Sequence, residues 1–143
     1  MRLVIVLCMM ILAVCESRQL GRCEVVRLFR KQGLDGFEGF SLGNYVCMAY
    51  WETKWKTHKV RDSDNIGKDY GIFQINSYKW CNDGTTGGKN LCNVSCGDLL
   101  NDNLKASVEC AKLIVRREGL KAWETWDKYC NGRKMKRWTK SCD

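Results

Sequence analysis

The sequence predicts an α+β domain: a mainly helical body with a small antiparallel β-sheet subdomain, a cleft between the two, and cysteines for four disulfides. Three observations carry this. Apolar residues recur at helical spacing before residue 53 and after residue 104, whereas the chain between them turns to charges, Asn and Gly. Within that middle part, residues 68–81 (KDYGIFQINSYKWC) alternate polar and apolar side chains, rich in β-branched and aromatic types. Ten cysteines stand in 143 residues. The order helices, sheet, helices makes the seam between them the natural place for a cleft.

The first 17 residues read as a secretory signal peptide: Arg2, an apolar run over 3–14, then Cys15-Glu16-Ser17 with small residues at its first and third places. The run is too short to span a bilayer, which takes about 20 residues, and no later apolar run is longer, so no transmembrane segment is expected. Cleavage after Ser17 leaves 18–143, a length suited to one domain, secreted and extracellular. Cys8 and Cys15 depart with the leader, leaving eight cysteines in an oxidising compartment, where disulfides are the favoured reading and spacing alone does not choose the pairing. Zinc at Cys92-x3-Cys96 is the competitor, disfavoured by that compartment and by a single histidine. Neither a metal nor a cofactor is expected, and the domain reads as a monomer. Net charge is +8, unchanged by processing because Arg2 and Glu16 leave together. Such a domain is drawn to anionic surfaces such as bacterial envelopes, and no nucleic-acid motif appears.

Along the mature chain, 23–31 puts Val25, Val26, Leu28 and Phe29 against Arg27, Arg30 and Lys31, an amphipathic helix with Gly33 as its C-terminal cap. A Gly-rich link leads to Ser41, an N-cap for a second helix over 42–53 that is apolar nearly all round and therefore central. Asp64-Asn65-Ile66-Gly67 is a turn between two strands, the second being the start of 68–81, where Gly71 marks a bend or a close backbone approach. Residues 82–90 hold no apolar side chain and form an exposed loop. A third helix spans 104–115 behind Asn101-Asp102-Asn103, and a fourth 120–130, with Trp123 and Trp126 at helical spacing. Trp55 and Trp126 read as core, and His58, among charges, as solvated. Arg133, Lys134, Lys136 and Arg137 read as a solvated basic face, and the sequon Asn93-Val94-Ser95, squeezed between two cysteines, as unused.

Two carboxylates stand out by contrast. Glu52 ends the apolar second helix, while Asp69 lies among hydrogen-bonding groups; burial raises one carboxyl's pKa while hydrogen bonds keep its neighbour ionised. Gln74, Asn76 and Trp80 follow, groups suited to sugar recognition.

Five segments resemble the c-type (chicken-type) lysozymes: GRCE at 21–24, GLDGF at 33–37, SLGNYVC at 41–47, DYGIFQINS at 69–77 and CNDG at 81–84. The pattern Cys92-x3-Cys96-x2-Leu99-x3-Asn103-Leu104-x5-Cys110 does so too, and the likeness covers the mature chain with all eight cysteines in register. It implies the pairs Cys23–Cys142, Cys47–Cys130, Cys81–Cys96 and Cys92–Cys110. It implies a bacteriolytic, antibacterial muramidase that cuts the β-1,4 link between N-acetylmuramic acid and N-acetylglucosamine in peptidoglycan with retention. Glu52 falls on the family's general acid and Asp69 on its nucleophile or electrostatic partner. Gln74, Asn76, Trp80, Ala122 and Trp123 fall on positions lining the sugar-binding cleft, with Trp123, and Trp51 beside it, expected as the apolar wall over Glu52. Lys79 departs from the pattern, standing where many relatives have a cleft aromatic, and the chain is one residue shorter around 85–89 and around 116–119. Within the same scaffold α-lactalbumin binds calcium; here the matching aspartate positions are Asn101, Asn103, Ala106 and Ser107, too poor in carboxylates for a strong site. The alternative to hydrolysis is a cationic, membrane-disrupting antimicrobial protein.

Overall fold

A computed structural model describes residues 18–143; the leader expected over 1–17 lies outside the described residues. The chain forms α1 (Arg22–Lys31), α2 (Leu42–Thr53), β1 (Val60–Asp62), β2 (Lys68–Tyr70), β3 (Ile75–Asn76), α3 (Lys105–Glu118), α4 (Glu124–Tyr129) and α5 (Lys136–Thr139), with 3-10 turns at Phe37–Gly39, Cys96–Leu100 and Leu120–Ala122. This is the expected α+β architecture, and the four disulfides pair as the resemblance implied: Cys23–Cys142, Cys47–Cys130, Cys81–Cys96 and Cys92–Cys110.

Helix α1 closes as its sequence predicts. Gly33 takes φ +83°, its N–H donates to the Arg30 carbonyl and the Leu34 N–H to that of Phe29, the double bond of a glycine-capped helix end. At the start of α2, Ser41 occupies the N-cap, but its hydroxyl accepts from the Asn44 side chain. The Asp35 carboxylate instead accepts the Leu42 N–H, capping from outside the helix. Almost every side chain of α2 is buried, Tyr45, Val46, Cys47, Met48 and Ala49 completely, so the helix forms the axis of the core.

The sheet runs β1-β2-β3, antiparallel throughout, with Arg61 opposite Asp69 and Asp69 opposite Asn76. The stretch expected as one strand feeding a loop is two strands broken at Gly71. A Cβ at Gly71 would meet the Leu99 carbonyl oxygen at 2.2 Å, and φ there is +74°, so the chain must turn where it presses on the Cys96–Leu100 turn. The turn drives Ile72 and Phe73 inward, both fully buried. Phe73 stacks on Phe29 of α1, ring centroids 5.2 Å apart. A three-stranded sheet this small lacks a core of its own; it borrows that of the helices.

The predicted fourth helix over 120–130 is likewise split. Trp123 takes φ −105°, ψ 112° between the 3-10 turn and α4, because its indole N–H reaches back to the Phe73 carbonyl at 2.8 Å. Helix α3 ends at Glu118, three residues past its expected end, and starts at Lys105, whose N–H the Asn103 side chain accepts. His58 is exposed, as expected, and lies 3.2 Å from Asp102, which also pairs with Arg18 at 3.2 Å and accepts from the Thr57 hydroxyl at 2.7 Å. Among the described residues, no helix is long and apolar enough to cross a membrane.

Candidate functional site

A cleft of about 320 Å³ opens between the sheet and the helices. The last turn of α2 delivers Glu52 to its floor, β1 and β2 deliver Arg61 and Asp69, β3 delivers Asn76, and Trp80 walls one side. Ile114 and Glu118 of α3, Ala122, Trp123 and Thr125 form the other side.

The two carboxylates sit in different surroundings, as their sequence contexts predict. Glu52 is 8% exposed. Burial raises its pKa above the ordinary glutamate range, and Asp69 adds to the rise, while the Thr125 hydroxyl, Arg61 and Lys59 pull the other way without cancelling it. The Thr125 hydroxyl donates to Glu52 Oε1 at 2.7 Å. Asp69 is held by hydrogen bonding: Asn76 Nδ2 donates to its Oδ1 at 3.1 Å. Asn76 is itself fixed, donating to the Ile66 carbonyl and accepting the Tyr78 N–H. The burial around Glu52 favours its protonated form, whereas Asp69 is held in place by the Asn76 amide.

Trp51 does not contribute the expected wall. It points away from the cleft, 41% exposed, and stacks on Tyr129 with centroids 4.2 Å apart, since successive helical residues diverge by about 100° around the axis. Trp123, 6% exposed, lines the cleft, and its indole N–H is committed to Phe73 rather than open to a sugar. Gln74 also lines the cleft, yet its amide donates to the Lys59 and Gly71 carbonyls, bracing the turn after β2. Lys79, the noted departure from the family pattern, forms an ion pair with Glu118 at the end of α3 and lies 4.8 Å from the centre of the Trp80 ring. A charged strap thus crosses the upper cleft. The Asn101 side chain accepts the Asn103 N–H, and the Ser107 hydroxyl donates to the Leu99 carbonyl; both brace their own backbone.

Two residues that contact Glu52 in the cleft escape sequence reasoning. Thr125 looks like a helix-starting threonine. Arg61 looks like a solvent-facing strand cation, but its guanidinium spans both carboxylates, Nη2 3.5 Å from Glu52 Oε2 and Nε 3.7 Å from Asp69 Oδ2. The only available signal is the two-residue strand period combined with the turn at 64–67, which together fix Arg61 opposite Asp69.

The chain matches the family model "C-type lysozyme/alpha-lactalbumin family" over residues 18–142. It is 43% identical to "Lysozyme-like protein 2" of Homo sapiens, over 90% of this chain and 87% of that protein. To "Lysozyme C-2" of Sus scrofa it is 42% identical over 99% of both, and to "Sperm acrosome-associated protein 5" of Mus musculus 36%, over 97% and 88%. With the family match, the fold and the eight paired cysteines in agreement, the chain belongs to the C-type lysozyme/alpha-lactalbumin family.

Proposed function

We propose that this protein is a secreted bacteriolytic muramidase that hydrolyses the β-1,4 bond between N-acetylmuramic acid and N-acetylglucosamine in peptidoglycan with retention. The observation that carries the proposal is the pair of unlike carboxylates in one cleft, Glu52 buried and raised, Asp69 hydrogen-bonded by Asn76. Glu52 donates its proton to the glycosidic oxygen as the bond breaks. Asp69 meets the positive charge that develops at the anomeric carbon and forms or stabilises the glycosyl intermediate. Glu52, now a carboxylate, takes a proton from the water that attacks, restoring the starting state. Trp80 and Trp123 supply apolar faces for pyranose rings, and Ala122 leaves room beside them. The leader pattern over 1–17 and four disulfides support export to an oxidising space. Removal of the leader after Ser17 is part of the proposal, and N-terminal sequencing of the exported protein tests it.

The test of activity is clearing of a peptidoglycan-rich cell suspension. Glu52→Gln keeps the shape and removes the transferable proton, and is expected to lower the rate by about 10²–10⁴-fold; Asp69→Asn is expected to be comparably impaired. Undiminished clearing by Glu52→Gln at matched concentration sinks the reading.

One observation favours a second reading. The charge of +8 is joined, away from the cleft, by exposed Trp51 and by Arg137, whose guanidinium lies 4.9 Å from the Trp138 ring centre, an aromatic and basic face suited to anionic lipid. If killing rests there, Glu52→Gln kills as well as the wild type and leakage of anionic vesicles follows the same dose.

A further inference from the structure

Five carboxylates line the cleft, Glu52, Asp64, Asp69, Glu118 and Glu124; Lys79 pairs with Glu118 at the upper end, and Arg61 is the cation that lies between Glu52 and Asp69. Its placement follows from the register, since pairing with Asp69 sets its side chain on the cleft face of β1. Yet the guanidinium is loosely held. Its contacts of 3.5 and 3.7 Å to the two carboxylates exceed hydrogen-bond length, and its side chain is 49% exposed. The planar fork of N–H donors is therefore open to an incoming acceptor, and its geometry matches a carboxylate in a two-point bond.

Where it rests, Arg61 opposes the chemistry. A cation beside Glu52 favours loss of the proton that an acid must donate, and a cation beside Asp69 offsets the negative charge that must meet the developing positive centre. A substrate that draws the guanidinium away relieves both effects at once. We propose that Arg61 is a specificity-determining residue that binds a carboxylate carried by the glycan beside the scissile bond, so that the cleft prefers carboxylate-bearing sugar chains to neutral ones of equal length. This rests on the muramidase reading for its substrate class, because a muramic acid that bears no peptide stem carries such a carboxylate on its lactyl arm. A neutral chain of N-acetylglucosamine leaves Arg61 between the two carboxylates.

The experiment titrates tryptophan fluorescence with two tetrasaccharides of alternating N-acetylglucosamine and N-acetylmuramic acid, one with free lactyl carboxylates and one with these converted to amides. Hydrolysis is suppressed with Glu52→Gln, and the same titration is run on Glu52→Gln/Arg61→Gln. Folding of each variant is checked by near-UV circular dichroism. Free carboxylates are expected to bind about tenfold more tightly than amides when Arg61 is present, and the preference is expected to vanish or invert without it, as the remaining carboxylates repel the ligand. A second arm compares turnover of the two tetrasaccharides by wild type and Arg61→Gln, where kcat/KM for the free acid over the amide is expected to fall by a similar factor. An equal preference with and without Arg61, or none in either, overturns the proposal even if the wild type hydrolyses both sugars. An Arg61-dependent preference in a wild type that cleaves neither sinks the hydrolase reading and leaves the carboxylate site standing.

Discussion

Glu52 is kept above the ordinary glutamate range chiefly by burial, and this has a consequence for stability as well as reactivity. Because the folded value exceeds the unfolded one, the stability contribution is fully present below the unfolded pKa of about 4.3 and is lost as pH rises through the folded value. Glu52→Gln is thus expected to melt higher than wild type at pH 7–8 and to show no such gain near pH 4, in a thermal denaturation series. The same reasoning applied to Arg61→Gln gives a shift in rate. Removing a cation that favours the ionised acid raises the pKa of Glu52 further, so the alkaline fall of kcat/KM is expected at higher pH than in wild type. An unmoved alkaline limb means that the guanidinium does not act on Glu52. At this scale the sequence is legible only in part. The unlike environments of Glu52 and Asp69 follow from their neighbours, whereas Arg61 and Thr125 enter the cleft through tertiary register and look like ordinary surface residues in the linear chain.

Gly71 shows how one backbone position sets an element. A side chain there collides with the Leu99 carbonyl and must adopt φ +74°. Gly71→Ala is expected to cost about 3 kcal/mol or more, seen as a lower denaturant midpoint, together with weakened sugar binding because Asp69 stands two residues away. The exposed loop after the sheet carries a pH-dependent tie of its own. Slight burial works against ionisation of Asp83, but hydrogen bonds from Thr85 and Tyr70 prevail and hold its pKa down to about 2. The stability it adds is therefore present above the unfolded value of about 3.9 and is lost as pH falls through 2; amide exchange over 82–90 is expected to quicken in that window. Helices α1 and α2 are legible because their apolar period and caps agree. The breaks at Gly71 and Trp123 are not, since each arises from a partner distant in sequence, Leu99 in one case and Phe73 in the other. Helix α5, only four residues long, is hidden in what reads as a run of basic side chains.

Across the whole molecule, the disulfides divide into those that hold the helices and those that hold the cleft. Cys23–Cys142 closes a separation of 119 residues and joins α1 to the chain end, on the helical side. Cys92–Cys110 spans only 18, but it fastens the loop after the sheet to α3. That loop runs beside the Trp80 wall, with the Leu91 N–H donating to the Lys79 carbonyl and the Cys92 N–H to that of Trp80. Helix α3 carries Ile114 and Glu118 of the facing wall, so this short bridge fixes the distance between the two sides. Chain entropy makes the long loop worth more stability, about 4–5 kcal/mol against about 3 for the short one. Activity is expected to follow the opposite order. Replacing Cys23 and Cys142 by Ala is expected to lower the melting temperature more while leaving clearing per folded molecule close to wild type at low temperature. Replacing Cys92 and Cys110 is expected to cost less stability but to weaken tetrasaccharide binding, with faster amide exchange over 78–96. If both variants retain full binding, cleft width is set instead by the packing of Gly71 on the Cys96–Leu100 turn, which neither substitution touches.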